Sequence, residues 1–365
     1  MVASHGTGQE RDRGAAAMTS FFRIFATGLC MVLMAQTFTA PEARAGAYIF
    51  SDALNPERFT HPTPYLGTGG EITVSVCIAP ASESIAEIEV SVRNSIFKWN
   101  QRQPVSPNLF LNAENDIPGG DVDFESTVVH EIGHCLGLAH PNAATESGLP
   151  AADREYTKAD PGPNDIFDLD AGDDSIRGSS DDVRGDDINL HWFASGINNP
   201  FVISEPVDTS VYSRDLADLP MGDLFAANAD RTVGTLYGLA GLTEAVMQQG
   251  AFIDEDQRQL AADDVATLEL AMSGLDRSAG TADDYVPRLE YGGVAAGCDI
   301  TVEVTGNSFA FCSVSGEAIN GDPDHVRLVN ARVQLGSAAN FPWYFNQVRD
   351  GPELIFSDGF EPLVP

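Results

Sequence analysis

Residues 130–141, HEIGHCLGLAHP, place three of the chain's seven histidines in one short run. On a helix, positions i and i+4 share a face, so His130 and His134 turn toward one point. Glu131 stands beside that point, within reach of a water held there. His140 lies too far along for a straight helix to bring it round. Gly137 supplies the break, because glycine ends a helix in a backbone conformation that other residues resist. Three imidazoles converging beside a carboxylate suit a catalytic zinc, which takes three protein ligands and leaves its fourth position to water. His130, His134 and His140 are therefore candidate zinc ligands, and Glu131 is the candidate general base.

The remainder of the chain bounds where such a site can work. Its 365 residues carry 54 acidic against 20 basic side chains, a formal charge of −34, which argues against nucleic acid or anionic membrane surfaces as partners. The N-terminus reads as an export signal. A second start at Met18 precedes one basic residue, Arg23, an apolar run from Ile24 to Ala40, and a small-x-small site at Ala43-Arg44-Ala45. Residues 1–45 are thus expected to be removed after Ala45 and the chain secreted, with no membrane partner afterwards. Nothing in the sequence sets an oligomeric state.

Export changes how the cysteines read. Cys30 leaves with the signal, and Cys77, Cys135, Cys298 and Cys312 remain in an oxidising compartment. Cys298 and Cys312 flank an expected hairpin, which favours their pairing. Cys77 with Cys135 would then tie a strand to the histidine helix, with two buried thiols as the other outcome.

Alternation over 71–80 predicts a strand, and Ile85, Ile88, Val92, Ile96 and Trp99 are spaced for a helix over 84–101. A short strand at 108–112 precedes the histidine helix. A helix over 262–273 opens on Asp263 and Asp264 and stops at Gly274. The order points to an α/β or α+β domain with helices behind a sheet. Residues 141–240 are rich in Asp, Gly, Pro and Asn and read as a long acidic insertion. Residues 293–365 alternate in short runs and read as a small β-rich C-terminal region.

HEIGHCLGLAHP resembles the zinc signature of the metzincin metalloproteases and is most similar to the matrixin branch. That resemblance implies an α+β zincin-type catalytic domain, here 46–292, with a twisted sheet backed by helices and a methionine turn beneath the metal. Met247 is the residue it implies, because the paired aspartates and helix that follow look like the matrixin arrangement; Met221 and Met272 lack that context. The chain departs from the pattern in three places. The segment 141–246 separates His140 from Met247, Gln248-Gln249 replaces the usual Tyr-Pro, and no tyrosine stands two residues beyond Met247 to act as a fifth zinc ligand; nor do residues 46–69 hold a cysteine to block a zinc. Asp52 or His61 is the alternative blocking group in a precursor.

Within the insertion, Asp173-Asp174, Asp181-Asp182 and Asp186-Asp187 recur with Gly178 and Gly185 between them. Asp- and Gly-rich turns suit calcium, a hard cation taking six to eight oxygens, and equally suit a loop held open by like charge. The expectation is a secreted zinc metalloendopeptidase, with Ca2+ as a structural ion. Its protein or peptide substrates would bind extended along an edge strand, for which 108–112 is the nearest candidate. The alternative is a calcium-binding surface or matrix protein whose zinc site is structural.

Overall fold

The computed structural model describes residues 45–51, 58–105, 107–140, 244–248, 251 and 253–351, and four short strands between 169 and 213. All fall within one compact unit, Ala40–Pro365. The signal expected over 1–45 lies outside the described residues, save Ala45. Among the described residues no helix is long and apolar enough to cross a membrane.

The strands are β1 (Ala45–Gly46), β2 (Phe59–His61), β3 (Gly70–Ile78), β4 (Phe110–Leu111) and β5 (Val122–Asp123). Four lie in the insertion: β6 (Leu169–Asp170), β7 (Val183–Arg184), β8 (Trp192–Ala194) and β9 (Tyr212–Ser213). The rest are β10 (Glu255–Asp256), β11 (Tyr285–Val294), β12 (Ile300–Val304), β13 (Ala310–Ile319), β14 (Asp322–Leu335) and β15 (Trp343–Tyr344). Helices α1 (Ile85–Gln101), α2 (Phe124–Cys135) and α3 (Ala262–Met272) match the helices read from periodicity.

One six-stranded sheet organises the domain, in the order β11-β3-β12-β14-β13, with β2 also paired to β14. Every pairing in it is parallel except β13 with β14. The protein is thus a mixed α/β domain with a mostly parallel sheet and few helices. Val74, Val76 and Ile78 point from β3 into the core beside Ile88, Val92 and Trp99 of α1 and Phe124, Val128 and Ile132 of α2. The indole N–H of Trp99 donates to Val129 O at 2.9 Å and locks the two helices together. A buried ion pair, Lys98 with Glu125, joins them again, and Asn94 and Asn346 also donate to Glu125, so the charge enters the core fully bonded.

Two expectations need correction. The β-rich region after 293 is no appendage. Strand β12 lies in the middle of the same sheet, between β3 and β14, and β13 forms its edge. The disulfides also pair differently: Cys77 with Cys298 and Cys135 with Cys312, each with Cα atoms 5.8 Å apart. Cys298 and Cys312 do not flank a hairpin, because β14 runs between β12 and β13. Two strand spacings come to roughly 10 Å, beyond the ~7 Å limit for a disulfide's Cα atoms. Cys77 cannot reach Cys135, because strand alternation sends it to the face opposite Val76 and Ile78, away from α2. There it meets Cys298, just ahead of the neighbouring β12.

Candidate metal centre

Helix α2 begins where Asp123 accepts hydrogen bonds from the N–H and hydroxyl of Ser126, at 2.8 and 2.6 Å. Arg258 donates twice to the same carboxylate, both at 2.9 Å, which ties the start of the helix to the segment after Met247. The helix ends in a double hydrogen bond: Leu138 N to Gly133 O at 3.1 Å and Gly137 N to His134 O at 3.0 Å. Gly137 sits at φ +114°, and a Cβ there would also stand 2.6 Å from Thr60 O. Only glycine meets both demands, so the chain turns here as the sequence implied. Residues 47–51 hold the turned-back strand, with Ala139 N donating to Ala47 O and Ile49 N to Gly137 O.

The three imidazoles meet. Their ligating nitrogens lie within 4.8 Å of one another. His130 Nδ1 faces Val246 O at 2.6 Å and His134 Nδ1 faces Leu138 O at 2.8 Å, so each Nδ1–H is spent on a carbonyl and each Nε2 is left for a metal. His140 Nε2 stands 3.4 Å from His130 Nε2. Two nitrogens on a tetrahedral zinc with bonds of 2.0–2.1 Å are about 3.3 Å apart. Burial holds His130 below the ordinary imidazole range, and His134 well below it, helped by the neighbouring rings. Neutral imidazole is the form that binds metal. The donor set fits zinc.

Glu131 is 4% exposed, and burial pushes its carboxyl up to about 8, against a smaller opposing effect of the Cys312 backbone N–H. Its Oε2 is buried with no hydrogen-bond partner. A cavity of about 620 Å³ opens beside it, lined by the three histidines, Glu131, Val246, Gln257 and Phe309–Cys312. Strand β13 contributes Ala310, Phe311 and Cys312 to this lining. The expected edge strand at 108–112 yields only β4, which pairs with β10 instead. Ile49 and Phe50 form part of the wall, so the segment after residue 46 helps build the site.

Met247 is 2% exposed, and a Cβ on Gly133 would collide with its sulfur. Gly133 thus lets the methionine press against the helix between His130 and His134. Met272 only packs against the core. The turn carrying Met247 is held by Asp264, whose fully buried carboxylate accepts from Val246 N and Met247 N at 2.9 Å each and from Ala261 N at 2.7 Å. Burial pushes this carboxyl up to about 6. The sequence marked Asp264 only as a helix-start residue, because nothing local shows that it reaches back to residue 247.

The possible calcium ligands Asp173, Asp174, Asp181, Asp182, Asp186 and Asp187 lie outside the described residues, as do Asp52 and Met221. A different carboxylate group, Asp276, Asp283 and Asp284, gathers before β11. Backbone amides of Leu275, Ser278 and Gly280 bond to it, which explains the cluster without a cation.

His61 does not approach the metal site as a blocking group would. It is buried, with Nδ1 3.1 Å from Tyr285 Oη and Nε2 3.0 Å from His325 Nδ1. Burial, His325 and Arg277 hold it well below 6.5, with Asp283 opposing weakly. The unfolded chain therefore takes up a proton that the fold refuses. No stability is lost above pH 6.5, and stability falls as pH drops below it, by up to about 1.4 kcal/mol per pH unit for this group. In urea titrations at pH 7.5, 6 and 5, His61→Gln should show a shallower decline than the wild type; an equal slope would assign the decline to other groups.

Comparison with protein-family models, with curated proteins and with solved structures returns no match.

Proposed function

We propose that the protein is a secreted zinc-dependent endopeptidase of metzincin type. The observation that carries this reading is a buried carboxylate oxygen, Glu131 Oε2, left without a hydrogen bond beside three convergent imidazoles at the wall of an open cavity. His130, His134 and His140 would hold zinc, which when bound acidifies a water and polarises a carbonyl. Glu131 Oε2 takes the proton of the attacking water and passes it to the leaving amine. The substrate lies extended along the outer edge of β13, whose other edge is occupied by β14.

A structural zinc site in a calcium-binding surface protein is the competing reading. It is disfavoured by the open cavity, since structural zinc fills its fourth position with protein.

Chelation should abolish cleavage of a mixed peptide library, and one equivalent of zinc should restore it. His140→Ala should weaken zinc binding by roughly 100-fold or more, since loss of even an outer hydrogen-bond partner costs 10- to 100-fold. A zinc-loaded protein that cleaves nothing in the library would remove the hydrolase reading.

A further inference from the structure

Among the described residues, β13 pairs with another strand along one edge only, that of β14. Its other edge faces the cavity, whose lining includes Phe309, Ala310, Phe311 and Cys312 together with the histidines. An exposed strand edge is open to pairing with an extended partner, so its position sets where that partner lies. Here a covalent bond pins it to the histidine helix. Cys312 is bonded to Cys135, the last residue of α2 and the immediate neighbour of His134, across a sequence separation of 177. The bond fixes the distance between the helix that presents the ligands and the strand that borders the cleft. It also keeps the Cys312 backbone N–H turned toward the Glu131 carboxylate.

We infer that the Cys135–Cys312 disulfide is a positioning element of the active site, setting the gap between the metal helix and the substrate strand and orienting Glu131. This inference rests on the endopeptidase reading. It makes the cleft's geometry conditional on an oxidising compartment, so the chain is poorly active while reduced and gains its full site on export.

The second disulfide provides a matched control. Cys77–Cys298 closes a sequence separation of 221, on the sheet face turned away from α2. A disulfide's effect on the unfolded chain depends on the logarithm of loop length, so losing either bond should lower the melting midpoint by a similar amount. Only one should change catalysis.

The test uses the full zinc-loaded chain in three forms: wild type, Cys135→Ser/Cys312→Ser and Cys77→Ser/Cys298→Ser. Well below all three melting midpoints, the first variant should bind one zinc and lose about 100-fold in kcat, the scale of an ångström's misplacement at a reacting centre. The second should keep kcat within about twofold of the wild type, a change of under 0.5 kcal/mol in barrier. Equal losses in both, or no loss in the first, would overturn the inference. Should the serine variants fail to fold, the wild type can be titrated with a phosphine and its thiols mapped by mass spectrometry. Activity should then fall with release of Cys135 and Cys312; a fall that follows only Cys77 and Cys298 would count against it. If the wild type cleaves nothing, the endopeptidase reading fails separately. Amide exchange over 309–313 then decides: exchange at least tenfold faster in Cys135→Ser/Cys312→Ser supports the pin, and unchanged exchange removes it.

Discussion

Glu131→Ala should leave one zinc bound per chain and reduce kcat for peptide cleavage by about 10²- to 10⁴-fold, the usual contribution of a positioned general base. That range corresponds to roughly 3–5 kcal/mol of barrier. Zinc affinity should hold, because the three imidazoles and the carbonyls of Val246 and Leu138 that orient two of them are untouched. Stability should hold as well. The carboxylate is 4% exposed and its Oε2 lacks a partner, so ending its burial offsets the lost contact with the Cys312 N–H. The discriminating measurement pairs metal content with single-turnover cleavage. A variant that keeps both zinc and its cleavage rate would take Glu131 out of the chemistry, whereas one that loses zinc would make it a structural partner of the site.

Asp264→Ala should have the largest effect on stability. Its carboxylate is the acceptor for three buried amides, those of Val246, Met247 and Ala261. Orphaning them costs about 1–3 kcal/mol each, partly offset because a carboxylate no longer has to be buried, for a net loss of roughly 3–5 kcal/mol. Equilibrium urea unfolding of the metal-free protein measures it. Asp264→Asn should lose less, since the amide oxygen keeps part of the acceptor capacity. Met247→Leu should lose under about 1.5 kcal/mol, because the volume against Gly133 is nearly conserved. If Asp264→Ala lost no more than Met247→Leu, the methionine turn would not depend on that carboxylate.

The convergence of His130, His134 and His140, the place of Glu131 beside them and the glycine that turns the chain back toward His140 were legible because helix geometry is local. Spacings of four residues place two rings on one face, and one positive-φ residue ends the helix, whatever the rest of the protein does. The helices at 85–101 and 262–272 were legible for the same reason, through apolar periodicity and the acidic first turn of the latter. The disulfides were not. Their pairing depends on the insertion of β14 between β12 and β13, and on which face of β3 carries Cys77. The strand bordering the cavity was not legible on the same grounds. The segment 108–112 is nearest the histidines in sequence, while the sheet edge along the cleft comes from 310–319, far down the chain.

By itself, then, the sequence determined a helix that presents two histidines on one face, its turn and its carboxylate, since each is fixed by contacts within a few residues. The tertiary structure decided what surrounds them: a methionine held beneath the helix by Asp264, a cleft wall built from β13, and a disulfide joining that wall to the helix. Those depend on the order in which distant strands enter one sheet. That order is set by burying apolar faces across the whole chain, and no short stretch of residues encodes it.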